Sequence, residues 1–254
     1  MKRLIAGAAA IAAVSYFSPW EMTAQSKPVR LLVSNGMKAA MEELQPQCER
    51  AIGSPLELQF SSTAALKKRI EAGEAFDGTI ITSEAIADLI KQGKLAGASR
   101  VDLGRSALGI GIRAGAAKPD IGTAGALKQA LLKVPSITYP QDGATRGFIE
   151  KMFESMGIAA QVKAKIILAP GSGPATESVA AGKAGFVITL FSEIVPVHGV
   201  EILGALPGEY QNYVNFTVAA NASTKQTGTI KNLAAFLAGA KAAPVLKAKG
   251  LEVR

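Results

Sequence analysis

Leu56 to Glu84 reads LELQFSSTAALKKRIEAGEAFDGTIITSE, and it divides into strand, turn, helix, loop and strand. Leu56, Leu58 and Phe60 alternate with Glu57 and Gln59, the period of two expected of a strand. Ser61, Ser62 and Thr63 follow, and serine and threonine are favoured helix N-caps. Ala64 to Ala72 is rich in helix formers and places Leu66 and Ile70 on one face, and Gly73 supplies a C-cap glycine. Gly78 to Thr82, GTIIT, is a short apolar run suited to a buried parallel strand. Three hydroxyls therefore stand where a strand ends and a helix begins. Free backbone N–H groups and the helix dipole make such a place receptive to anions.

The pattern recurs about a hundred residues later. Ala164 to Pro170 reads as a strand, Gly171-Ser172-Gly173 as a turn, Pro174 to Ala181 as a helix, and Gly185 to Thr189 as the next strand. IEAGEAFDGTIIT and VAAGKAGFVIT share the order helix, Ala-Gly, charged residue, Ala, strand, Thr. They read as equivalent units of two similar lobes. The plainer alternative is that βαβ units resemble one another by composition alone.

Working outward, Val29 to Ser34 is the first strand, and Asn35-Gly36 turns it into an amphipathic helix from Met37 to Arg50. Pro46 lies inside that helix and predicts a break or kink near Leu44. Ser34 and Asn35 form a second polar strand-to-helix turn, or simply cap a helix. Ser83 to Gln92 and Ala124 to Lys133 read as helices, Leu108 to Arg113 and Ser136 to Tyr139 as strands, and Ser99 to Arg105 as loop or short strand. Asp142 to Gly147, DGATRG, is a further glycine-rich turn before a helix from Phe148 to Met156. Its Arg146 offers a guanidinium fork for an anion, or is a solvated loop residue. Leu190 to Val197 is an apolar run with Glu193 inside it. Tyr213 to Ala220 is a strand, Thr227 to Gly239 and Ala242 to Lys249 are helices, and the terminal LEVR is strand-like.

Composition bounds the function. The chain has 254 residues, 48% hydrophobic and 19% charged, which suits one large or two small α/β domains and excludes general disorder. The net charge is +8, which serves solubility or attracts anions. No dense basic run or nucleic-acid motif is present, so nucleic acid is not an expected partner. One cysteine, Cys48, precludes an internal disulfide, and one histidine, His198, leaves no zinc site of familiar spacing. There is no G-x-S-x-G or phosphate-loop motif, so no enzyme is expected and no cofactor or metal is implied.

Residues 1–24 read as a secretory signal. Lys2 and Arg3 form a basic start, Leu4 to Phe17 an apolar stretch, and Met22-Thr23-Ala24 a cleavage site of weak pattern. The apolar run is shorter than the ~20 residues a spanning helix needs; an uncleaved anchor is the alternative. The expected location is the periplasm.

These residues resemble the periplasmic molybdate-binding family of ABC-importer solute-binding proteins. The likeness is carried by the strand ending in Ser34, by FSSTAAL at Phe60 to Leu66, by IEAGEAFDG at Ile70 to Gly78, by IITSE at Ile80 to Glu84, and by GRSAL at Gly104 to Leu108. It extends from about Val29 to Arg254. It implies a two-lobed α/β fold of the type II periplasmic binding protein kind, each lobe a mixed or parallel sheet flanked by helices, with two crossover segments. It implies residues 25–104 plus 207–254 as one lobe and 105–206 as the other, with hinges near Gly104 to Ser106 and Ala205 to Gln211. Carried over position by position, it implies ligand contacts at Ser34 and Asn35, at Ser61, Ser62 and Thr63, at Gly143, Ala144 and Thr145, and near Ser172 to Thr176, with Arg146 beside them. The chain departs from the family at its opening turn, Ser34-Asn35-Gly36-Met37, and in lacking a counterpart to the family's late tyrosine near Val187 to Leu190, where the nearest aromatic is Phe191.

The resemblance implies a monomeric, non-enzymatic protein that carries molybdate or tungstate as an oxyanion to permease subunits in the membrane. The alternatives are a small organic carboxylate gripped by Arg146, and a sensor or partner-binding module without a small ligand. Neutral donors suffice for such an anion. Each hydrogen bond to a charged group contributes about 1.5–3 kcal/mol, so five or six give roughly 8–18 kcal/mol gross, against about 8 kcal/mol net for a micromolar Kd.

Overall fold

The computed structural model describes residues 27–253; the stretch 1–24, read as a secretory signal, lies outside them. Strand β1 (Val29–Ser34) passes through one 3-10 turn into helix α1 (Lys38–Ile52). Strand β2 (Leu56–Ser61), helix α2 (Thr63–Glu71), strand β3 (Gly78–Thr82) and helix α3 (Ser83–Lys91) complete the first run, and the long strand β4 (Val101–Arg113) leaves it. Helix α4 (Ala124–Lys133), strand β5 (Ile137–Pro140), helices α5 (Arg146–Ser155) and α6 (Ala159–Lys163), strand β6 (Ile166–Ala169), helix α7 (Ser172–Ala180), strand β7 (Phe186–Leu190) and the short helix α8 (Phe191–Ile194) form the second run. Strands β8 (Val200–Ala205) and β9 (Tyr213–Ala220) then lead back to helices α9 (Thr227–Leu237) and α10 (Ala243–Ala248).

The strands lie in the order β2-β1-β3-β9-β4-β7-β5-β6, with β8 beside β4. The two ends of this path mirror one another. In the first, β1 pairs parallel with β2 and β3, and β3 pairs antiparallel with β9. In the second, β5 pairs parallel with β6 and β7, and β7 pairs antiparallel with β4. The α2–β3 and α7–β7 units thus occupy equivalent places, which is the geometric content of the repeated motif.

Strand β4 joins the two halves. Val101 to Ala107 pairs with β9, whereas Leu108 to Ile112 pairs with β7. The change of partner falls at Ala107–Leu108, just beyond the hinge expected at Gly104 to Ser106. The returning chain crosses beside it, where the Leu108 amide donates to the Asn212 carbonyl at 2.8 Å. Segment Ser99 to Arg105, read as loop or short strand, is mostly β4, because β9 supplies a ladder partner that no local pattern reveals.

Each half-sheet is covered on both faces. In the first half, Met41, Leu44 and Cys48 of α1 pack with Ile230, Leu233 and Leu237 of α9 on one side, and Leu66 and Ile70 of α2 pack with Ile86 and Leu89 of α3 on the other. In the second half, Leu127 and Leu131 of α4 join Ile149, Met152 and Phe153 of α5, while Ala175 and Val179 of α7 join Ile194. Strands β3 and β7 are accordingly buried throughout, which is why they read as unbroken apolar runs.

Helix α1 runs through Pro46 without the expected break. Pro46 and Glu42, whose carbonyl the missing Pro46 N–H cannot reach, are both exposed, so water can satisfy that carbonyl. The buried residues Met41, Leu44 and Cys48 bracket it, and each fully buried large side chain contributes about 1.5–3 kcal/mol. That burial outweighs the proline penalty of about 3 kcal/mol. Pro46→Ala is therefore expected to raise unfolding stability by about 2 kcal/mol, the helix gain less the lost rigidity of the unfolded chain. Urea unfolding measures it, and an unchanged or lower midpoint would contradict this account of α1.

Candidate functional site

The four strand-to-helix turns that follow β1, β2, β5 and β6 converge on one cavity between the two halves of the sheet. It is lined by Ser34 and Asn35 after β1, by Ser62 and Thr63 after β2, by Asp142, Gly143, Ala144 and Thr145 after β5, and by Gly171 and Ser172 after β6. The carboxyl ends of parallel strands point the same way, so the turns leaving neighbouring strands meet in one crevice. Ser34, Thr145 and Ser172 are buried polar residues there. The Ser62 hydroxyl caps α2 by accepting from the Ala65 amide at 3.2 Å. The Thr63 hydroxyl donates to Ser34 Oγ at 3.2 Å, tying the first two turns together. Phe216 of β9 also lines the cavity. A Cβ on Gly36 would lie 2.4 Å from the tip of that ring, so the first turn can sit this close only with glycine.

The two halves touch across the cavity. Ser62 donates to Asp142 Oδ2 at 2.8 Å, a bond spanning 80 residues of sequence. It places a carboxylate at the N-terminus of α2, where the helix dipole favours negative charge. The enclosed space is about 20 Å³, room for about one water. A ligand of several atoms can enter only if the lobes part and the Ser62–Asp142 contact gives way.

Glu193 completes the wall. It follows β7 on α8 and lines the cavity with Leu190. The Thr189 hydroxyl donates to its Oε2. Burial pushes the Glu193 carboxyl above the ordinary carboxylate range, against the opposing pull of hydrogen bonds from Thr189, Ser172 and the backbone at Leu190. Among the described residues, no lysine or arginine lines the cavity. Asp142 and Glu193 are the two carboxyl residues absent from the contacts expected from sequence, as are the lining residues Pro140, Gly171, Leu190, Val214 and Phe216. Asp142 stood one position before the contacts proposed there, and the signal for Glu193 was a single acid in an otherwise apolar run.

Other expected residues fall elsewhere. Arg146 is the first residue of α5 and not a turn residue; its Nε donates to Glu150 Oε1 at 2.9 Å and a terminal nitrogen donates to the Gln141 carbonyl at 2.8 Å. The helical i,i+4 spacing draws the guanidinium to Glu150, and Arg146 is not among the lining residues. Ser61 ends β2 opposite Ser34 and does not line the cavity. Thr176 is fully buried behind it, donating to the Ser172 carbonyl at 3.0 Å and the Glu193 carbonyl at 3.2 Å; it supports the wall. His198 is exposed beyond α8. Among the described residues no cluster of His, Cys, Asp or Glu is arranged to hold a metal, and no helix is long and apolar enough to cross a membrane.

A family model described as bacterial extracellular solute-binding protein matches residues 29–252. An aconitate isomerase of Pseudomonas sp is 29% identical over 228 residues, covering 87% of this chain and 86% of that one. Among solved structures, the periplasmic molybdate-binding protein of Azotobacter vinelandii superposes with a TM-score of 0.74 at 18% identity, over 89% of this chain and 99% of that one. A sulfate-binding protein of Mycobacterium tuberculosis H37Rv superposes with a TM-score of 0.70 at 17% identity, over 88% and 86%. Similarity at these identities shows a shared fold, that of type II periplasmic binding proteins.

Two outcomes follow from the geometry. Asp142→Ala removes a charged acceptor worth about 1.5–3 kcal/mol, so in ligand-free protein the amides of the turns at 62–65 and 143–147 should exchange hydrogen roughly 10- to 100-fold faster. Unchanged exchange would mean that the Ser62 contact does not hold the lobes. The raised Glu193 carboxyl gives a second. Its neutral form favours the fold, so its contribution is fully present below the ordinary value of 4.5 and is lost as pH rises through the higher folded value. Glu193→Gln should exceed the native chain in Tm at about pH 8 and converge with it toward about pH 4. A gap independent of pH would contradict the buried placement of this carboxyl.

Proposed function

The chain belongs to the bacterial extracellular solute-binding protein family, and on that premise we propose that it captures a small organic polycarboxylate in the cleft between its lobes, in the periplasm, and delivers it to ABC permease subunits. On this reading the described residues of 25–104 with those of 207–254 form one lobe, and 105–206 the other. Ser34, Asn35, Ser62, Thr63, Gly143, Ala144, Thr145 and Ser172 supply the hydroxyls and backbone amides that hold the anion.

The observation that carries this reading is the presence of two carboxyl groups, Asp142 and Glu193, in a wall otherwise made of donors and apolar groups. A fully ionised tetrahedral oxyanion offers acceptors only, and a carboxylate beside it would be repelled. An organic acid carries hydroxyl, carboxylic or carbon-bound hydrogens that can face such groups. The similarity to a protein named aconitate isomerase points the same way. Arg146 plays no part here, since Glu150 and the Gln141 carbonyl occupy its guanidinium.

Molybdate or tungstate is the second reading. It is favoured by the convergence of neutral hydroxyls without any cation among the described residues and by the molybdate- and sulfate-binding proteins that share the fold. It requires Glu193 to be protonated and to donate.

A thermal-shift titration separates the two. Tricarboxylates at about 100 times Kd should add roughly 2.7 kcal/mol of stability, a rise in Tm of roughly 5–10 °C, and Ser172→Ala should weaken binding about 10- to 100-fold. A shift with molybdate and tungstate alone would establish the second reading. No shift with any small anion would contradict both.

A further inference from the structure

Glu193 is not needed to close an anion cage. A carrier of a fully ionised oxyanion gains nothing from an acid in its wall, and among the described residues no cationic side chain lines the cavity to neutralise it. Yet its place is tightly specified. The fully buried Thr189 hydroxyl donates to Oε2. The Thr176 hydroxyl holds the main-chain carbonyls of Ser172 and Glu193 together, fixing the first turn of α7 against α8. Leu190, Val214 and Phe216 supply apolar surface in the same cavity. The other carboxyl, Asp142, bonds to Ser62 of the opposite half, so it moves with lobe closure, whereas Glu193 belongs to one half and is held by it.

We infer that Glu193 is a general acid–base that moves a proton along a bound unsaturated polycarboxylate, so that the cleft is the active site of an allylic isomerase as well as a binding site. This rests on the polycarboxylate reading above and departs from the non-enzyme expected from sequence. The substrate class is an acid with a CH₂ group between a carboxylate and a C=C bond. The Glu193 carboxylate takes a proton from that CH₂. The C–H electron pair shifts into a dienolate, with charge on a substrate carboxylate oxygen near the hydroxyls of Ser172 and Thr145. The protonated Glu193 then returns the proton to the far carbon of the three-carbon unit, the former vinyl carbon. One C–H bond breaks and one forms, the double bond moves by one carbon, and no oxidant, reductant or co-reactant is required. One acid suffices because it serves as base in the first step and acid in the second. Burial raises the Glu193 carboxyl, which brings it nearer to the operating pH, where proton transfer by a side chain is most effective. Hydroxyl donors fixed before reaction suit the developing enolate charge. The similarity to a protein named aconitate isomerase supplies a probe.

The experiment follows the purified chain with cis-aconitate in deuterated buffer by proton NMR, with thermal shift on the same samples. The native protein should lose the allylic and vinylic proton signals and form the trans isomer. Glu193→Gln should bind within a few-fold of native affinity while its rate falls at least about 100-fold. Glu193→Asp, with a carboxyl set back by one methylene, should recover part of that rate, and it keeps the test open if Glu193→Gln does not fold. Native kcat/KM should rise with pH as Glu193 loses its proton, a limb absent from any residual rate of Glu193→Gln. Binding of cis-aconitate without exchange would overturn the acid–base role and leave the polycarboxylate carrier standing. Absence of binding to either isomer would overturn both. A native rate in Glu193→Gln, or in Glu193→Asp should Glu193→Gln not fold, would remove Glu193 from the chemistry.

Discussion

The molecule depends on one constraint of parallel sheets: strands that run side by side in the same sense end on the same edge. Here β1 and β2 end against the same crevice as β5 and β6, because the two halves of the sheet are joined through β4 and β9. Every helix that leaves those strands begins at the crevice, so helix N–H groups and positive dipole ends gather there, and among the described residues no cationic side chain lines it. The hydroxyls of Ser34, Ser62, Thr63, Thr145 and Ser172 line the cavity on that backbone frame, where the proposed function has them act as adjustable donors. The same constraint requires helices on both faces of each half-sheet, hence the two pairs of hydrophobic clusters and the fully buried β3 and β7.

Much of this was legible in the sequence. Val29 to Ser34, Gly78 to Thr82 and Tyr213 to Ala220 are strands where the residue pattern put them, because each is bounded by sharp turn chemistry. The polar turns after β1, β2, β5 and β6 were visible as hydroxyls and glycines between a strand and a helix. What stayed hidden depended on partners distant in the chain. The length of β4 needs β9, and the continuity of α1 through Pro46 needs the burial of its far side. Arg146 looked like an anion grip because glycines surround it; the helix begins at Arg146 itself and delivers Glu150 to its guanidinium.

The carboxyl groups changed the chemistry more than the fold. Asp142 lies across the cleft at the N-terminus of α2, much as a bound anion would, so under the proposed anion binding ligand entry would exchange one negative group for another. That exchange weakens apparent affinity and makes lobe opening part of binding. Glu193 lies in the half carrying α7 and α8, and with Asp142 it makes the cavity chemically asymmetric: donors and apolar groups on most sides and ionisable acids on the rest. A protein that only enclosed a permanent oxyanion would have no physical reason for that asymmetry.

The central claim is that a small anion is held by the four turns at once. The most direct test is amide hydrogen exchange by mass spectrometry with and without saturating trans-aconitate, repeated with molybdate. The account predicts protection in the segments around 34–37, 62–65, 142–147 and 171–173 together, with the tricarboxylate and to a smaller degree or not at all with molybdate. Protection confined to one lobe, or lying outside these four turns, would contradict it.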